Sequence, residues 1–298
     1  MLRRETFMET RYTPGGDEFI LVEFDESMSL EVNLLVQRVV TSVEAGAVAG
    51  VIDVCPANVS YLVRYDPDVV DFDNLVSTLK EFESASLTQR WQPFRTRVID
   101  MPILFNDPWT YEVQMKFRDR VQDPEVTDIE YLTRINGLPT VDSFISAITA
   151  APHMATLTGF SLGVVWSYQL VPRAQQLQGP KYLQPRTETP ARAFALGGAF
   201  TAVYPSESPG GYPMLGRAAA PAYDPAQRLP DFEEKPELVG IGDICNYRSV
   251  DRDEYDSIQK AVSAGTYRFA IADVEFDPQA LIEDPSGYCS SLTEALYS

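Results

Sequence analysis

The spacing of apolar positions over the first hundred residues alternates between strand and helix periods. EFILVEF at Glu18 to Phe24 is a compact apolar run, turned by Gly15-Gly16-Asp17, and predicts a strand. From Leu30 the apolar residues Leu30, Leu34, Leu35, Val39 and Val43 recur at helical spacing, with Ser29 placed to cap the first turn. Val48 to Val54 and Ser60 to Tyr65 predict two further strands parted by Pro56, Phe72 to Ala85 a second helix behind Asp71, and Arg97 to Leu104 a strand that closes the unit. The order β-α-β-β-α-β is that of a small split-βαβ, ferredoxin-like domain over residues 1–104, its two helices on one face of an antiparallel sheet. Met1 to Pro14 carry no period and are read as an arm.

The pattern then changes. Phe105 to Asp123 is polar with embedded aromatics, Asp128 to Asn136 is a short helix stopped by Gly137, and Thr140 to Thr149 is another, which makes residues 105–156 a helical connector. Glycine and proline punctuate the chain from Leu157, and residues 157–250 read as a β-barrel of short strands, giving an α+β chain. The punctuation is densest from Pro180 to Pro225. That stretch holds a proline-bound basic turn with Lys181 and Arg186, the Gly197-Gly198 pair ahead of AFTAVYP, and the SPGGY turn at Ser208 to Tyr212. A glycine pair either lets backbone approach a ligand closely or simply permits a hairpin turn. Residues 251–298 begin as a helix up to Gly265 and continue as a surface-wrapping tail with a weakly ordered terminus.

Charge narrows the partners. With 24 Lys and Arg against 43 Asp and Glu, the 298-residue chain has a formal net charge of -19, which opposes nucleic acid and anionic membranes. The acidic residues are spread through loops, as on an ordinary solvated surface. No apolar run is long enough to span a bilayer, and MLRRETFMET lacks the apolar stretch of a leader, so a soluble, unprocessed chain is expected. Cys55, Cys245 and Cys289 are scattered without CxxC spacing, which fits a reducing cytoplasm, and the single His153 excludes a multi-histidine metal centre. No GxxxxGK[ST] or GxGxxG is present, so no phosphate cradle for ATP is expected here.

The ordered set Pro185-Arg186, Pro190, Gly197-Gly198, Tyr204-Pro205, Ser208-Pro209-Gly210-Gly211-Tyr212, Gly216, Asp224-Pro225 and Gly242-Asp243 resembles the family of KipI and the 5-oxoprolinase B-subunit (allophanate hydrolase subunit 1). That family also supplies the second half of the carboxyltransferase domain of urea carboxylase. GGDEFILVEF and CPANVSYLVRYDP sit where the family has its small N-terminal domain. The resemblance implies that the barrel is cyclophilin-like. It also implies that the chain is one half of a biotin-dependent carboxyltransferase acting on a urea-, amide- or ketone-like small molecule. The implied partners are a complementary half of the type of KipA or the 5-oxoprolinase C-subunit, a biotin carboxylase, and a carrier that delivers carboxybiotin, none of which this chain supplies; no MKM-like attachment motif occurs in it. Two alternatives follow from the same family: a subunit of an ATP-dependent lactamase of 5-oxoprolinase type, or a KipI-like protein that inhibits a kinase. A tail beyond the barrel tilts the choice toward the carboxylase branch.

Carboxyl transfer needs donors for a carboxylate or carbonyl oxygen, a base, and exclusion of water. Arg186 is the candidate for the first, because its fork pairs with a carboxylate at two points, although it could equally brace its turn or pair with Glu188. Tyr204 is a candidate phenol donor, and His153 a candidate base with a structural alternative. Gly197, Gly198, Phe200, Thr201, Ser208, Gly210, Gly211 and Tyr212 are the candidate substrate-binding residues. The chain departs from the family pattern in four places, one of them His153, which falls where the family shows a tyrosine. Ile148 stands where the family has a histidine, GFSLGV at Gly159 to Val164 (with Leu162) replaces GFxPGF, and Phe200 replaces the glutamine of GGxQTG. An aromatic in place of a polar group favours a flat or apolar substrate, or a reduced catalytic part for this subunit.

Overall fold

The computed structural model describes residues 9–298, so the Met1 to Met8 part of the expected arm lies outside the described residues. The chain divides into two compact units, one ending at Gln92 and one running Pro93–Ser298.

The first unit is a four-stranded antiparallel sheet of β1 (Arg11–Pro14), β2 (Phe19–Glu23), β3 (Val51–Pro56) and β4 (Ser60–Tyr65) in the order β1-β2-β4-β3. Helices α1 (Leu30–Ala45) and α2 (Phe72–Thr88) bury Leu35, Val36, Val39, Leu75 and Leu79 together with Ile20, Val22, Tyr61 and Val63 from the sheet. Both expected caps form: Ser29 accepts the Val32 amide and Asp71 the Asn74 amide. The fourth strand, however, is not Arg97 to Leu104. It is β1, from the stretch read as an arm, so the expected β-α-β-β-α-β order is replaced by β-β-α-β-β-α. β1 escapes a periodicity search because it is a short edge strand: only Tyr12 packs on the core, while Arg11 turns outward to pair with Glu23 and Glu26.

The expected sixth strand belongs to the second unit. β5 (Phe94–Phe105) runs for twelve residues and is buried from Val98 onward. It closes a seven-stranded barrel with β6 (His153–Thr158), β7 (Val165–Gln169), β9 (Ala193–Gly197), β10 (Phe200–Val203), β12 (Met214–Ala218) and β13 (Ile244–Ser249). The ring order is β12-β9-β10-β7-β6-β13-β5, with β5 returning to β12. A closed barrel leaves no edge among its seven strands, and this one is consistent with a cyclophilin-like barrel. Two strands, β8 (Arg186–Thr189) and β11 (Ser208–Gly210), pair with each other outside it.

The connector helices do not merely span a gap. α3 (Pro108–Lys116) is followed by α4 (Asp128–Ile135) and α5 (Val141–Thr149), and Ile129, Leu132, Phe144 and Ile148 from the last two are buried in the barrel core. Each begins on a side-chain cap, Asp107 for α3, Thr127 for α4 and Thr140 for α5. The tail is likewise built in. After α6 (Arg252–Ser263), β14 (Ile271–Phe276) adds to the outer side of β5, and α7 (Pro278–Glu283) and α8 (Pro285–Glu294) follow where a weakly ordered terminus was expected. Its apolar anchors, Phe276, Leu281, Cys289 and Leu292, are buried, and the end is tied by the Tyr297 hydroxyl near Asp100 at 3.5 Å. Among the described residues no helix is long and apolar enough to cross a membrane, and no group of three metal-ligating side chains is assembled.

Candidate functional site

The barrel wall sorts the candidate residues. Along β9, Phe194 and Leu196 belong to the interior core, whereas Ala193 and Ala195 join Tyr204 and Met214 in a separate cluster on the outer side. Alternation along β10 then puts Thr201 with Val203 inside, and Phe200 on the opposite face of the wall.

On the outer side the antiparallel pair of β8 and β11 sets Gly210 opposite Arg186 and Ser208 opposite Thr189. Arg186 is 1% exposed, the bulkiest of the fully buried side chains. Its Nε and Nη2 donate to Thr189 Oγ1 at 3.3 and 3.2 Å, and its guanidinium lies 4.4 Å from the centre of the Tyr182 ring. The Tyr182 hydroxyl in turn sits 2.9 and 2.7 Å from the two carboxylate oxygens of Asp128, one of which also accepts the Met214 amide at 2.7 Å. Burial pushes the Asp128 carboxyl up to about 6, against the opposing pull of Tyr182, Met214 and Arg186. Burial also raises the Tyr204 phenol, opposed by Arg186 and the amides of Tyr212 and Gly211. A Cβ at Gly210 would fall 2.5 Å from Thr189 Oγ1 and 2.6 Å from the Tyr204 hydroxyl, so glycine is required by space. Arg186, Tyr204 and Gly210 are therefore brought together. Arg186 Nη1 and Ser208 Oγ are shielded and have no partner among the described residues. Glu188, the alternative partner for Arg186, pairs instead with Lys116.

Beside this cluster lies an aromatic face. A Cβ on Gly197 would run into the Tyr212 ring, which stacks with Trp166 at 6.3 Å and 29° and has the Lys181 ammonium 5.5 Å from its centre. Gly198 adopts φ +60° and exchanges two backbone hydrogen bonds with Gly179, at 2.8 and 2.7 Å. Phe200 packs on Tyr168, with ring centres 5.6 Å apart. Next to β7, the Gly159 to Val164 loop exposes Phe160 and Leu162, at 64% and 77%. Gly211, the next residue of the SPGGY segment, is not held to glycine. Its φ is not in the left-handed region, and a Cβ there would meet nothing nearer than Pro185 at 3.8 Å.

Inside the barrel, His153 is 2% exposed. Its Nε2 donates to the Ile148 carbonyl at 2.9 Å, which fixes the tautomer, and its Nδ1 accepts from the Thr201 hydroxyl at 3.1 Å. Burial pushes the imidazole down to about 4, and its ring packs edge-on against Tyr247. With both nitrogens engaged and the ring neutral at physiological pH, His153 is a brace joining α5 to β10, separated by the wall from Arg186 and Tyr204. Ile148 fills the core at 1% exposure, so the position of the family's histidine has become apolar packing.

Asp128, Tyr182 and Thr189 were not singled out from sequence. Asp128 begins a helix that reads as a surface connector, and nothing in its spacing announces a buried carboxylate. Trp166 and Lys181 complete the aromatic face, of which only Lys181 stood out in the sequence, as part of a basic turn.

The comparisons agree with this architecture. Urea amidolyase of Lachancea kluyveri is 23% identical over 287 residues, covering 95% of this chain and 16% of the relative, and that of Saccharomyces cerevisiae is 24% identical over 273 residues, 15% of its length. The chain thus spans about a sixth of these relatives. The B-subunit of 5-oxoprolinase from Bacillus subtilis is 22% identical over 255 residues, covering 82% of this chain and 95% of that protein. The crystal structure of Kluyveromyces lactis urea carboxylase superposes with a TM-score of 0.81 at 22% identity, over 96% of this chain and 26% of that one, which supports the fold. The profile of the carboxyltransferase domain, subdomain C and D, matches residues 10–232, and the chain belongs to that family.

Proposed function

We propose that this chain is one half of a biotin-dependent carboxyltransferase whose acceptor is a small urea-, amide- or ketone-like molecule. The observation that carries this reading is the extent of likeness to the urea amidolyases. It covers 95% of the chain, beyond the family match that ends at residue 232, and so takes in the tail that β14, α7 and α8 build onto the barrel. The outer wall from Tyr182 to Tyr212 is the proposed reaction face. Carboxybiotin, delivered by a separate carrier, supplies the carboxyl group. The Tyr212 and Trp166 rings fit a flat ureido ring or a planar acceptor, Lys181 offers a donor above the ring, and Tyr204 and the Gly211-Tyr212 amides lie where an oxygen could be held. Arg186 acts as a positioning residue: it holds β8 to the Tyr182–Asp128 pair and thereby sets the paired strand β11 that leads into Gly211 and Tyr212. Phe200, on the wall with Tyr168, turns the acceptor preference toward an apolar skeleton.

The test is reconstitution with a complementary half, biotin carboxylase and a biotinylated carrier, followed by bicarbonate fixation onto urea, acetamide and simple ketones. Acceptor-dependent fixation that requires this chain supports the reading, and its absence with all acceptors refutes it. A second reading, a subunit of an ATP-dependent lactamase, is favoured by the alignment over 95% of the Bacillus subtilis 5-oxoprolinase B-subunit and by 38% identity over 73 residues to its Escherichia coli counterpart. It predicts ATP-dependent opening of 5-oxoproline by the assembled complex with no bicarbonate requirement.

A further inference from the structure

A cavity of about 450 Å³ opens in the second unit between the turn before β9, the 221–229 segment and the C-terminal end of α6. None of the candidate catalytic or substrate-binding residues lines it. Its size is that of a small-molecule pocket, and Pro221, Leu229 and Val262 give it apolar walls.

Arg192 enters this cavity from an unusual backbone. Its φ is +68°, a conformation that glycine adopts freely and that strains a residue with a side chain. Nη1 is spoken for, donating to the Ala219 carbonyl at 3.2 Å and Gln259 Oε1 at 2.9 Å. Among the described residues no carboxylate pairs with the guanidinium. Nε and Nη2 donate to none of their groups, and they are not among the polar atoms shielded without a partner, so they are accessible, on a residue that lines the cavity. Burial acts most strongly against the Arg192 charge, with Arg217 adding to it and Tyr255 partly offsetting it. A second cation, Arg228, stands at the rim, largely exposed. The acid lining the cavity, Asp224, is satisfied locally, by the amides of Ala226 and Arg228 at 3.2 and 2.8 Å and by Arg228 Nε at 3.6 Å.

We infer that this cavity is a binding site for a small monocarboxylate with an apolar body, its carboxylate held by the free edge of Arg192 with Arg228 at the entrance. A single free guanidinium edge matches the two oxygens of one carboxylate. A dianion is disfavoured, because Asp224 and the C-terminal, partly negative end of α6 at Ser263 to Gly265 flank the site. The same helix end suits a ligand with an N–H donor at its far end.

The experiment is calorimetric titration of the full chain with benzoate and N-acetyl-alaninate, against benzamide and inorganic phosphate, repeated with Arg192→Gly and Arg228→Gln. Arg192→Gly suits the purpose because glycine relaxes the φ of +68°, which offsets part of the loss of the bonds to Ala219 and Gln259, so the variant should still fold, with a modestly changed melting temperature. The expected result is binding of at least one carboxylate in the range of about 1 mM or tighter, with phosphate and benzamide much weaker. Affinity should drop by about tenfold or more in Arg192→Gly, the effect of losing a charge-assisted pair, and by less in Arg228→Gln. Three results overturn the inference: no heat with either carboxylate up to about 10 mM, benzamide or phosphate binding as well as benzoate, or carboxylate affinity undiminished in a folded Arg192→Gly protein.

Discussion

Arg186→Lys separates bracing from chemistry, because the two roles predict opposite readouts. The guanidinium makes two hydrogen bonds to Thr189 and lies 4.4 Å over the Tyr182 ring, all within a site it leaves only 1% exposed. Lysine keeps the charge but has no plane to lay on the ring and no fork. The stacked cation is worth about 2 kcal/mol when desolvated, and the charge-assisted bonding about 1.5–3 kcal/mol. Against this, losing Nη1, which has no partner among the described residues, relieves about 1 kcal/mol. The net loss is about 2.5–4 kcal/mol, which in a unit of this size lowers the melting temperature by roughly 5–15 °C. Scanning calorimetry of the isolated chain measures it. If the melting temperature instead holds within a degree or so while turnover of the reconstituted complex falls by a decade or more, Arg186 meets the reacting group directly and the bracing role is wrong.

Three other outcomes are expected. Asp128 and His153 should give opposite slopes in melting temperature against pH. Asp128, raised to about 6 from an ordinary carboxylate value of 3.8, contributes stability that is full below the lower value and lost as pH rises through the upper one. His153, lowered to about 4 from 6.5, binds its proton more weakly folded than unfolded, so stability falls as pH drops from 6.5 toward 4. Asp128→Asn should therefore steepen the loss on acidification between pH 4 and 6, and an unchanged profile would mean that the carboxylate is not held as described. Gly197→Ala should cost about 1–3 kcal/mol by driving into the Tyr212 ring, whereas Gly211→Ala should stay within about 0.5 kcal/mol; urea titrations that rank the two variants the other way would contradict the geometry. Limited proteolysis should cut first around the exposed Gln89, Arg90, Gln92 and Pro93 at the boundary of the two units, and not in residues 128–149, whose helices are anchored in the barrel core. Early fragments ending inside α4 or α5, identified by mass spectrometry, would count against that anchoring.

What could be read from the sequence depended on whether a residue's neighbours in space were also its neighbours along the chain. The helices and their caps at Ser29 and Asp71 were legible because a cap and an amphipathic stripe are local. The destination of β5 was not. Phe94 to Phe105 has the apolar run of a core strand, but whether it completes the first sheet or founds the second depends on pairings with β12, β13 and β14, the last of them more than 160 residues on. A strand so placed has the same local signal in either position. The candidate site divides in the same way. SPGGY and the glycine pair announced tight backbone, and space does demand glycine at Gly197 and Gly210. Gly211, however, is indistinguishable from Gly210 in sequence and is freed only because its Cβ would point away from Tyr204 and Thr189. His153 and Arg186 both stood out as chemistry-bearing residues, yet a barrel wall one strand thick separates them. A two-residue period decides which side each neighbour faces, and the residue type alone carries no trace of it. The same wall explains why the departures at Ile148 and Phe200 are of different kinds. The first is absorbed into the core and braces His153 through its carbonyl, and the second stays half-buried on the outer face against Tyr168.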